Sequence, residues 1–372
     1  MDVYSPLKAL PRVLFVMGVN GTGGTELQAR ALITGLRERG VKTTVLLLDG
    51  SQGLNGLPSD TEILASERPS LFASLWIYSG IVRQVRRRLR SGEFDVIHGA
   101  HARGYMVVAA AGVGLKGIRR IAWRRNLGVH LGGPSRAVTK LLERAALHAT
   151  DVVLANSDDV RDFWITRYGL ASDKVLVVPN LLHDWRFDVE RAPVSEPMRI
   201  VAVGGLRQVK GHEFLLRAVC KLNRKDIEVV IVGEGERRSS LEAQATNLNV
   251  KVLMPGIQMD TRPWLATATL FVHPSLSEGS SNAVLEAMAA GVPVVASDVG
   301  GMRELLGETG VIVPPGDEER LRDAISWLLD GPVDRQRMGE AARLRAREHF
   351  SEDAVIATTI SVYRGELPCA ES

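Results

Sequence analysis

Only two cysteines, Cys220 and Cys369, occur in the 372 residues, and aromatic side chains make up 5%. Two distant thiols in so long a chain are no disulfide framework, and they fit a reducing compartment. With few aromatics, the core must rest on Leu, Val, Ile and Ala. No apolar run approaches the roughly 20 residues that a membrane-crossing helix needs. The first run, Val13 to Val19, has no strongly basic start before it and no small-residue cleavage site after it. It therefore reads as a buried first strand, not an export signal. Asp-x-Asp, Cys-x-x-Cys and His-Glu-x-x-His are all missing, so metal chemistry finds little support. Short-period repeats and low-complexity tracts are missing too.

What remains is ordinary globular composition, 45% apolar and 24% charged, in a length that suggests two domains. The net charge of +3 is unevenly spread: residues 1–190 hold 25 Lys and Arg against 18 Asp and Glu. A basic first half suggests an acidic partner, whether a phosphate-bearing substrate, an anionic membrane surface or nucleic acid. Strands are expected at Arg12–Met17, Thr43–Leu48, Val96–His98, Arg120–Trp123, Val152–Asn156 and Val175–Val178, with helical stretches such as Glu26–Arg39 and Ser135–Ala149 between them. After residues 183–197, which hold Asp184, Asp188, Pro193 and Pro197 without apolar period, the rhythm restarts. Six more strands are expected, at Arg199–Val203, Glu228–Val232, Lys251–Met254, Leu270–His273, Pro293–Ser297 and Gly310–Val313. Continuous apolar strands separated by helices predict parallel sheets covered on both faces. The expectation is an α/β chain of two Rossmann-like, doubly wound domains. The first spans 1–182, a linker 183–197, the second 198–350, and a segment 351–372 is expected to return to the first. Such sheets bind ligands beyond the carboxyl ends of their strands, which predicts a cleft between facing domains.

The most informative stretch runs from Pro274 to Ser297. A strand ends, a loop bears Glu278 and Gly279, and a helix begins near Ser280, Ser281 and Asn282, carries Glu286 on its second turn and ends at Gly291. Unbonded N–H groups at a helix start make an anion site. The bland alternative is that both carboxylates are solvated or cap the helix. A second Gly-rich loop, Gly204-Gly205-Leu206-Arg207-Gln208-Val209-Lys210-Gly211, comes after the first strand of the second domain. Glycines let backbone approach a ligand, and Arg207 and Lys210 can neutralise a diphosphate or simply face solvent. A third loop, Gly21 to Glu26 with Gly23, Gly24 and Thr25, comes after strand one. It is a poor dinucleotide fingerprint, because Glu26 replaces the third glycine and Asp49 lies too far on to be the ribose acid.

The 274–297 stretch resembles the retaining glycosyltransferases of the GT-B fold, closely glycosyltransferase family 4. Glu278 and Glu286 fit the family's paired glutamates, and Ala287, Ala289, Gly291, Pro293 and Val294 fit the family's continuation beyond the second glutamate. Residues 298–304, 310–317 and 178–180 resemble further family segments, so the likeness covers nearly the whole chain. The resemblance implies that Glu286 binds the ribose of a nucleotide-sugar donor, and that Glu278 binds hydroxyls of its sugar. Gly279, Ser280, Ser281 and Asn282, with Gly204 and Gly205, would surround the diphosphate. Lys210 and the helix start would stabilise the leaving group in place of a metal, with no cofactor. The family arginine falls on Gly205, and Arg207 two residues on is the substitute considered. The loop at Gly23, Gly24 and Thr25 is similar to one that approaches donor phosphate and acceptor.

The likeness is looser at two places. In Asp95-Val-Ile-His98-Gly-Ala-His101 one extra residue separates the histidines. His98 reads as a strand-end residue, and His101 divides between a catalytic or acceptor contact and plain loop. Near Arg124-Arg125-Asn126 many relatives place a histidine, and guanidinium contact to an anionic acceptor or to the donor phosphate is the reading here. Residues 71–90 mix Leu, Trp, Ile and Val with Arg83, Arg86, Arg87, Arg88 and Arg90. Two readings stand: a basic amphipathic helix on anionic lipid, or a helix packed on the sheet with its arginines in water. Nucleic acid is the weaker partner, since no binding motif accompanies the charge. The expectation is a retaining, metal-independent hexosyl-type glycosyltransferase acting on a glycan or lipid-linked acceptor in bacterial polysaccharide or glycolipid synthesis. It would be cytoplasmic or peripheral on the inner face of the plasma membrane. A nucleotide-sugar epimerase and a catalytically silent nucleotide-sugar-binding subunit are the rivals.

Overall fold

The computed structural model describes residues 9–20, 24–51, 53–54, 56–64, 71–125, 136–194 and 196–366, and of 71–77 and 136–139 the backbone alone. The chain divides into two compact units, residues 1–181 with 355–372, and residues 182–354.

Unit 1 holds strands β1 (Val13–Met17), β2 (Thr43–Leu47), β3 (Glu62–Ile63), β4 (Val96–Ala100), β5 (Arg119–Trp123), β6 (Val152–Ala155) and β7 (Val175–Val177). Between them run helices α1 (Gly24–Glu38), α2 (Leu71–Leu89), α3 (His101–Gly112), α4 (Arg136–Ala149) and α5 (Asp158–Tyr168). All the strands are parallel, in the order β3-β2-β1-β4-β5-β6-β7. β1 and β4 are buried at every residue, which is why they read as unbroken apolar runs. Local signals close the helices: Ser157 accepts from Val160 N at the start of α5, and Gly169 ends it at φ 65°. The two-residue edge strand β3 was not expected, being too short to show a period.

Unit 2 holds β8 (Met198–Val203), β9 (Ile227–Val232), β10 (Val252–Leu253), β11 (Leu270–His273), β12 (Val294–Ser297) and β13 (Val311–Val313), all parallel in the order β10-β9-β8-β11-β12-β13. Its helices are α6 (His212–Leu222), α7 (Arg238–Asn247), α8 (Arg262–Ala266), α9 (Asn282–Ala289), α10 (Met302–Leu306), α11 (Glu318–Asp330) and α12 (Pro332–Phe350). Phe187 and Val189, in the stretch with no apolar period, are buried in this unit's core. The last helix, α13 (Glu352–Arg364), places Val355, Ile356, Val362 and Tyr363 in the core of unit 1 beside Leu36 and Trp123.

Both sheets reverse their strand order once, between β1 and β4 in unit 1 and between β8 and β11 in unit 2. Strands leave connections of opposite sense at such a point, and the gap between them is where open α/β sheets take ligands.

Candidate active site

In unit 2 the loops leaving β8 and β11 meet at the switch point. Leu276 N donates to the Val209 carbonyl at 2.8 Å. Gly211 has φ 64°, and a β-carbon there would fall 2.1 Å from the Pro274 carbonyl oxygen. Gly300 has φ 54°, and a β-carbon on it would lie 2.2 Å from the Glu278 carbonyl oxygen. Only glycine allows that conformation and that approach together, so these two positions let three loops close on one another.

The loops carry an ion pair. Lys210 Nζ binds Glu278 Oε1, and the two side chains are 16% and 15% exposed. The same oxygen lies 3.2 Å from His273 Nε2 and accepts from the Ser275 hydroxyl at 3.3 Å. All three contacts fall on Oε1; Oε2 has no partner among the described residues. Burial alone would push this carboxyl up, but His273 and Lys210 outweigh it and hold it at about 2. Glu278 is therefore a carboxylate at any ordinary pH, an acceptor of hydrogen bonds with one oxygen open. His212, the first residue of α6, is buried beside this cluster. Burial, then His273 and Lys210, push its imidazole down to about 4, so it is neutral.

Helix α9 begins after Ser281, whose hydroxyl accepts from Val284 N at 3.4 Å. That cap satisfies one of the first-turn donors, which intrahelical bonding leaves unmatched, and it orients the positive end of the helix at the 279–282 loop. On the second turn Glu286 accepts from the Thr261 hydroxyl at 2.6 Å and lies 3.3 Å from Arg186 Nη2. Burial pushes this carboxyl up against the opposing pull of Arg186 and Thr261, with Asp260 adding to the rise. The two glutamates thus differ in character: one is firmly ionised, the other resists ionisation and gains from donors that a ligand brings.

Arg207 is exposed, yet its Nε lies 3.3 Å from where a β-carbon on Gly205 would be. Its guanidinium folds back beside the position at which the family places an arginine. Gly204 packs against the aliphatic stem of Lys210, with a β-carbon site 3.6 Å from Cδ. Sequence reasoning missed His273, Ser275, Thr261 and Arg186 as site residues. The strand end at His273 was visible, but nothing in its pattern showed that the ring turns toward Glu278.

Of the residues singled out in the first half, His101 opens α3 at the other sheet's switch point. Its φ is 64°, a strained value for a residue with a β-carbon. Its Nε2 lies 3.3 Å from Glu26 Oε1, and that contact, against the cost of burial, holds the Glu26 carboxyl down. Gly24 and Thr25 form the start of α1, while Gly23 and Asn126 lie outside the described residues. His98 is a core residue: its Nδ1 is 2.6 Å from the Tyr363 hydroxyl and it packs on Phe15, and burial pushes its imidazole down to about 3.

Arg124 and Arg125 differ. Arg124 is buried in an ion pair with Glu143 at 3.1 Å and stacks 4.1 Å from the Trp164 ring, and Glu143 also accepts from the Tyr105 and Tyr168 hydroxyls at 2.7 and 2.6 Å. Arg125 is buried over Trp123 and donates to Asn180, and its Nη1 has no hydrogen-bond partner among the described residues.

Known proteins resemble this chain along most of its length. Residues 197–331 match the family described as glycosyl transferases group 1, and residues 22–184 match glycosyltransferase family 4. The chain is 31% identical over 266 residues to the alpha-maltose-1-phosphate synthase of Mycolicibacterium smegmatis, covering 63% of this chain and 68% of that protein. It is 28% identical over 342 residues to the lipopolysaccharide core biosynthesis glycosyltransferase LpsE of Rhizobium meliloti, covering 90% and 93%. Among solved structures it superposes on Anabaena HepE, crystallised with UDP, with a TM-score of 0.81 at 19% identity, over 95% of this chain and all of that one.

Proposed function

Because the chain belongs to the group 1, family 4 glycosyltransferases of the GT-B fold, and so has glycosyltransferase activity, we propose that it uses a nucleotide diphosphate sugar and retains the configuration of the transferred sugar. The proposed acceptor is a glycan or lipid-linked glycan in bacterial polysaccharide or glycolipid synthesis, a reading supported by the likeness to LpsE, whose name places it in lipopolysaccharide core biosynthesis. The observation that supports the reading is the asymmetry of Glu278. One oxygen is held by Lys210, His273 and Ser275, and the other is left to accept from a ligand hydroxyl.

The chemistry is set by where charge develops. Breaking the bond between the anomeric carbon and the β-phosphate oxygen leaves a nucleoside diphosphate with growing negative charge. Lys210, Arg207 and the N–H groups at the start of α9 oppose it without a metal, fixed in place before the reaction. The sugar gains oxocarbenium character, and the ionised Glu278 orients its hydroxyls. The acceptor hydroxyl attacks from the face that the phosphate leaves, forms the new glycosidic bond and passes its proton to the departing phosphate oxygen. No protein nucleophile is consumed. Glu286 receives the ribose hydroxyls, which offset the cost of its burial. His101 with Glu26, and the start of α1 at Gly24 and Thr25, are assigned to the acceptor side. Neither an epimerase nor a silent binding subunit is favoured by any observation.

The test is a thermal-shift panel of nucleotide sugars on wild type and Glu286→Ala. A true donor at about 100 times its Kd stabilises by about 2.7 kcal/mol through mass action. The largest shift should vanish in the variant, and the anomeric configuration of the product, read by NMR, should match that of the donor. A shift that survives in Glu286→Ala removes this residue from the donor site, and an inverted product refutes retention.

A further inference from the structure

The carboxylate on the second turn of α9 has a support of its own. Arg186 lies in one turn of 3₁₀ helix, Asp184–Phe187, at the start of unit 2. That turn is anchored by the fold itself: Phe187 is buried in the unit's core, and Arg343 of α12 donates to the Phe187 carbonyl at 2.6 Å and to the Val189 carbonyl at 3.4 Å. The guanidinium of Arg186 lies 4.1 Å from the Trp185 ring, and that of Arg262 lies 4.6 Å from the same ring while donating to the Trp185 carbonyl at 3.3 Å. Arg262 is held in turn by both oxygens of Asp260 at 2.8 to 3.1 Å. An arginine stacked and flanked in this way has little rotamer freedom left to lose on meeting a partner.

Its partners are specific. Nη2 lies 3.3 Å from Glu286 Oε1, with the two side chains 16% and 15% exposed. Nη1 donates to the Thr261 hydroxyl at 3.1 Å, and that hydroxyl stands 2.6 Å from Glu286 Oε2. Because the hydroxyl oxygen accepts from Arg186, its single proton is turned to Oε2. One arginine thus sets both oxygens of the carboxylate, one directly and one through Thr261. The other charges near Glu286 are committed elsewhere. Asp260, 4.0 Å from Arg186, is paired with Arg262; Arg343 is spent on backbone carbonyls; Arg347 lies over the Phe187 ring at 5.1 Å; and His273 of β11 meets Glu278. Asp184 and Asp188 are exposed, with Asp188 acting on Arg262.

We propose that Arg186 is a positioning residue for the nucleotide of the donor: acting through Glu286 and Thr261, it presents a carboxylate of fixed plane to the two ribose hydroxyls. The inference rests on the donor reading above and adds how that carboxylate is kept in its working form. Two neighbouring hydroxyls need two acceptor atoms, and each Glu286 oxygen keeps acceptor capacity beyond its one protein donor. A proton on either oxygen competes with them. Burial favours that proton and Arg186 opposes it, so without the arginine the proton stays on to higher pH.

Titration calorimetry of the full chain with UDP-glucose, GDP-mannose and ADP-glucose, from about pH 6 to about pH 9, tests it. These diphosphate diesters have no phosphate proton to lose in that range. For the tightest of the three, Arg186→Met should weaken binding by about 10- to 100-fold at neutral pH, the scale of a lost hydrogen bond to a charged group. Its affinity should also fall by about tenfold or more between the alkaline and the acid end, while that of wild type varies by less than about threefold. Arg186→Lys should restore the flat profile and only part of the affinity, since an ammonium returns the charge without the two-pronged grip. Arg186→Met with Glu286→Gln should be flat as well, because the titrating group is gone. An Arg186→Met variant with wild-type affinity and profile overturns the inference, and so does a pH slope that persists in the double variant. Those results, with binding still lost in Glu286→Ala, leave the donor reading standing. If none of the three binds wild type, the donor reading falls and takes this inference with it.

Discussion

His273 Nε2 stands 3.2 Å from the same Glu278 oxygen that Lys210 holds, so two potential cations converge on one atom of one carboxylate. Strand β11 ends at His273 and the loop returns Glu278 five residues later, so the pairing is built by a single tight turn. Its energetic consequence appears in acid. The Glu278 carboxyl is held at about 2 in the fold against an ordinary 4.5. A depressed pKa gives stability that is present above the unfolded value and is lost as pH falls through the folded value. The contribution should therefore be whole above about pH 4.5 and gone near pH 2. Urea unfolding of wild type and Glu278→Gln at pH 7, 4 and 2.5 checks this, since the wild-type advantage should shrink across that window. Parallel acid profiles would refute the assignment. At neutral pH Glu278→Gln should also cut turnover by on the order of 100-fold, the usual scale for a lost contact made at the transition state.

The folded-back position of Arg207 makes a rescue possible. Arg207→Ala should lower kcat by about 100-fold, with the donor thermal shift much less affected. Gly205 has no positive φ, and with Arg207 removed its nearest obstacle would be the Glu234 carbonyl oxygen at 3.6 Å. Gly205→Arg placed in the Arg207→Ala background should therefore restore part of the lost turnover. A double variant as slow as the single one would show that Arg207 acts as surface charge.

Adjacent arginines should respond in opposite ways. Removing Arg124 as Met leaves the Glu143 carboxylate buried without its cation, which typically costs about 3 to 5 kcal/mol. Adding Glu143→Leu should return more than half of that loss. Arg125 has Asn180 and a tryptophan ring but no carboxylate among the described residues, and burial pushes its guanidinium down to about 9. Arg125→Met should leave unfolding free energy unchanged or raised. Denaturation curves of the three variants distinguish the cases, and an equal loss for Arg124→Met and Arg125→Met would contradict the pairing.

These arginines also mark where the sequence stops being readable. Arg124-Arg125 looks like one basic dipeptide. Its two roles depend on Glu143, Trp164 and Asn180, which no local period connects to it. The strands were legible to within a few residues because a parallel strand covered on both faces is an unbroken apolar run, as at Val13–Met17 and Val294–Ser297. β3 was not, since two residues carry no pattern. In the candidate site, Lys210, Glu278 and Glu286 stood out because glycines and helix signals frame them. Arg186 did not: it lies in a short turn, Asp184–Phe187, inside a stretch without apolar period, and only folding brings it to Thr261 and Glu286. The left-handed backbone of His101 was equally invisible, because histidine is not a residue that announces it.

The core of unit 1 is closed by residues at the far end of the chain: Ile356 fits against Gly35 so closely that a β-carbon there would come within 2.1 Å of it, and the Tyr363 hydroxyl reaches His98. Translation delivers these pieces in the wrong order for simple domain-by-domain folding. The first seven strands leave the ribosome early, with Phe15, Leu36 and Trp123 still waiting for their cover, and they stay unfinished while all of residues 182–354 are made. The half translated first is thus the half completed last, and a nascent chain stalled before residue 355 would present an apolar face to chaperones even with its sheet fully formed.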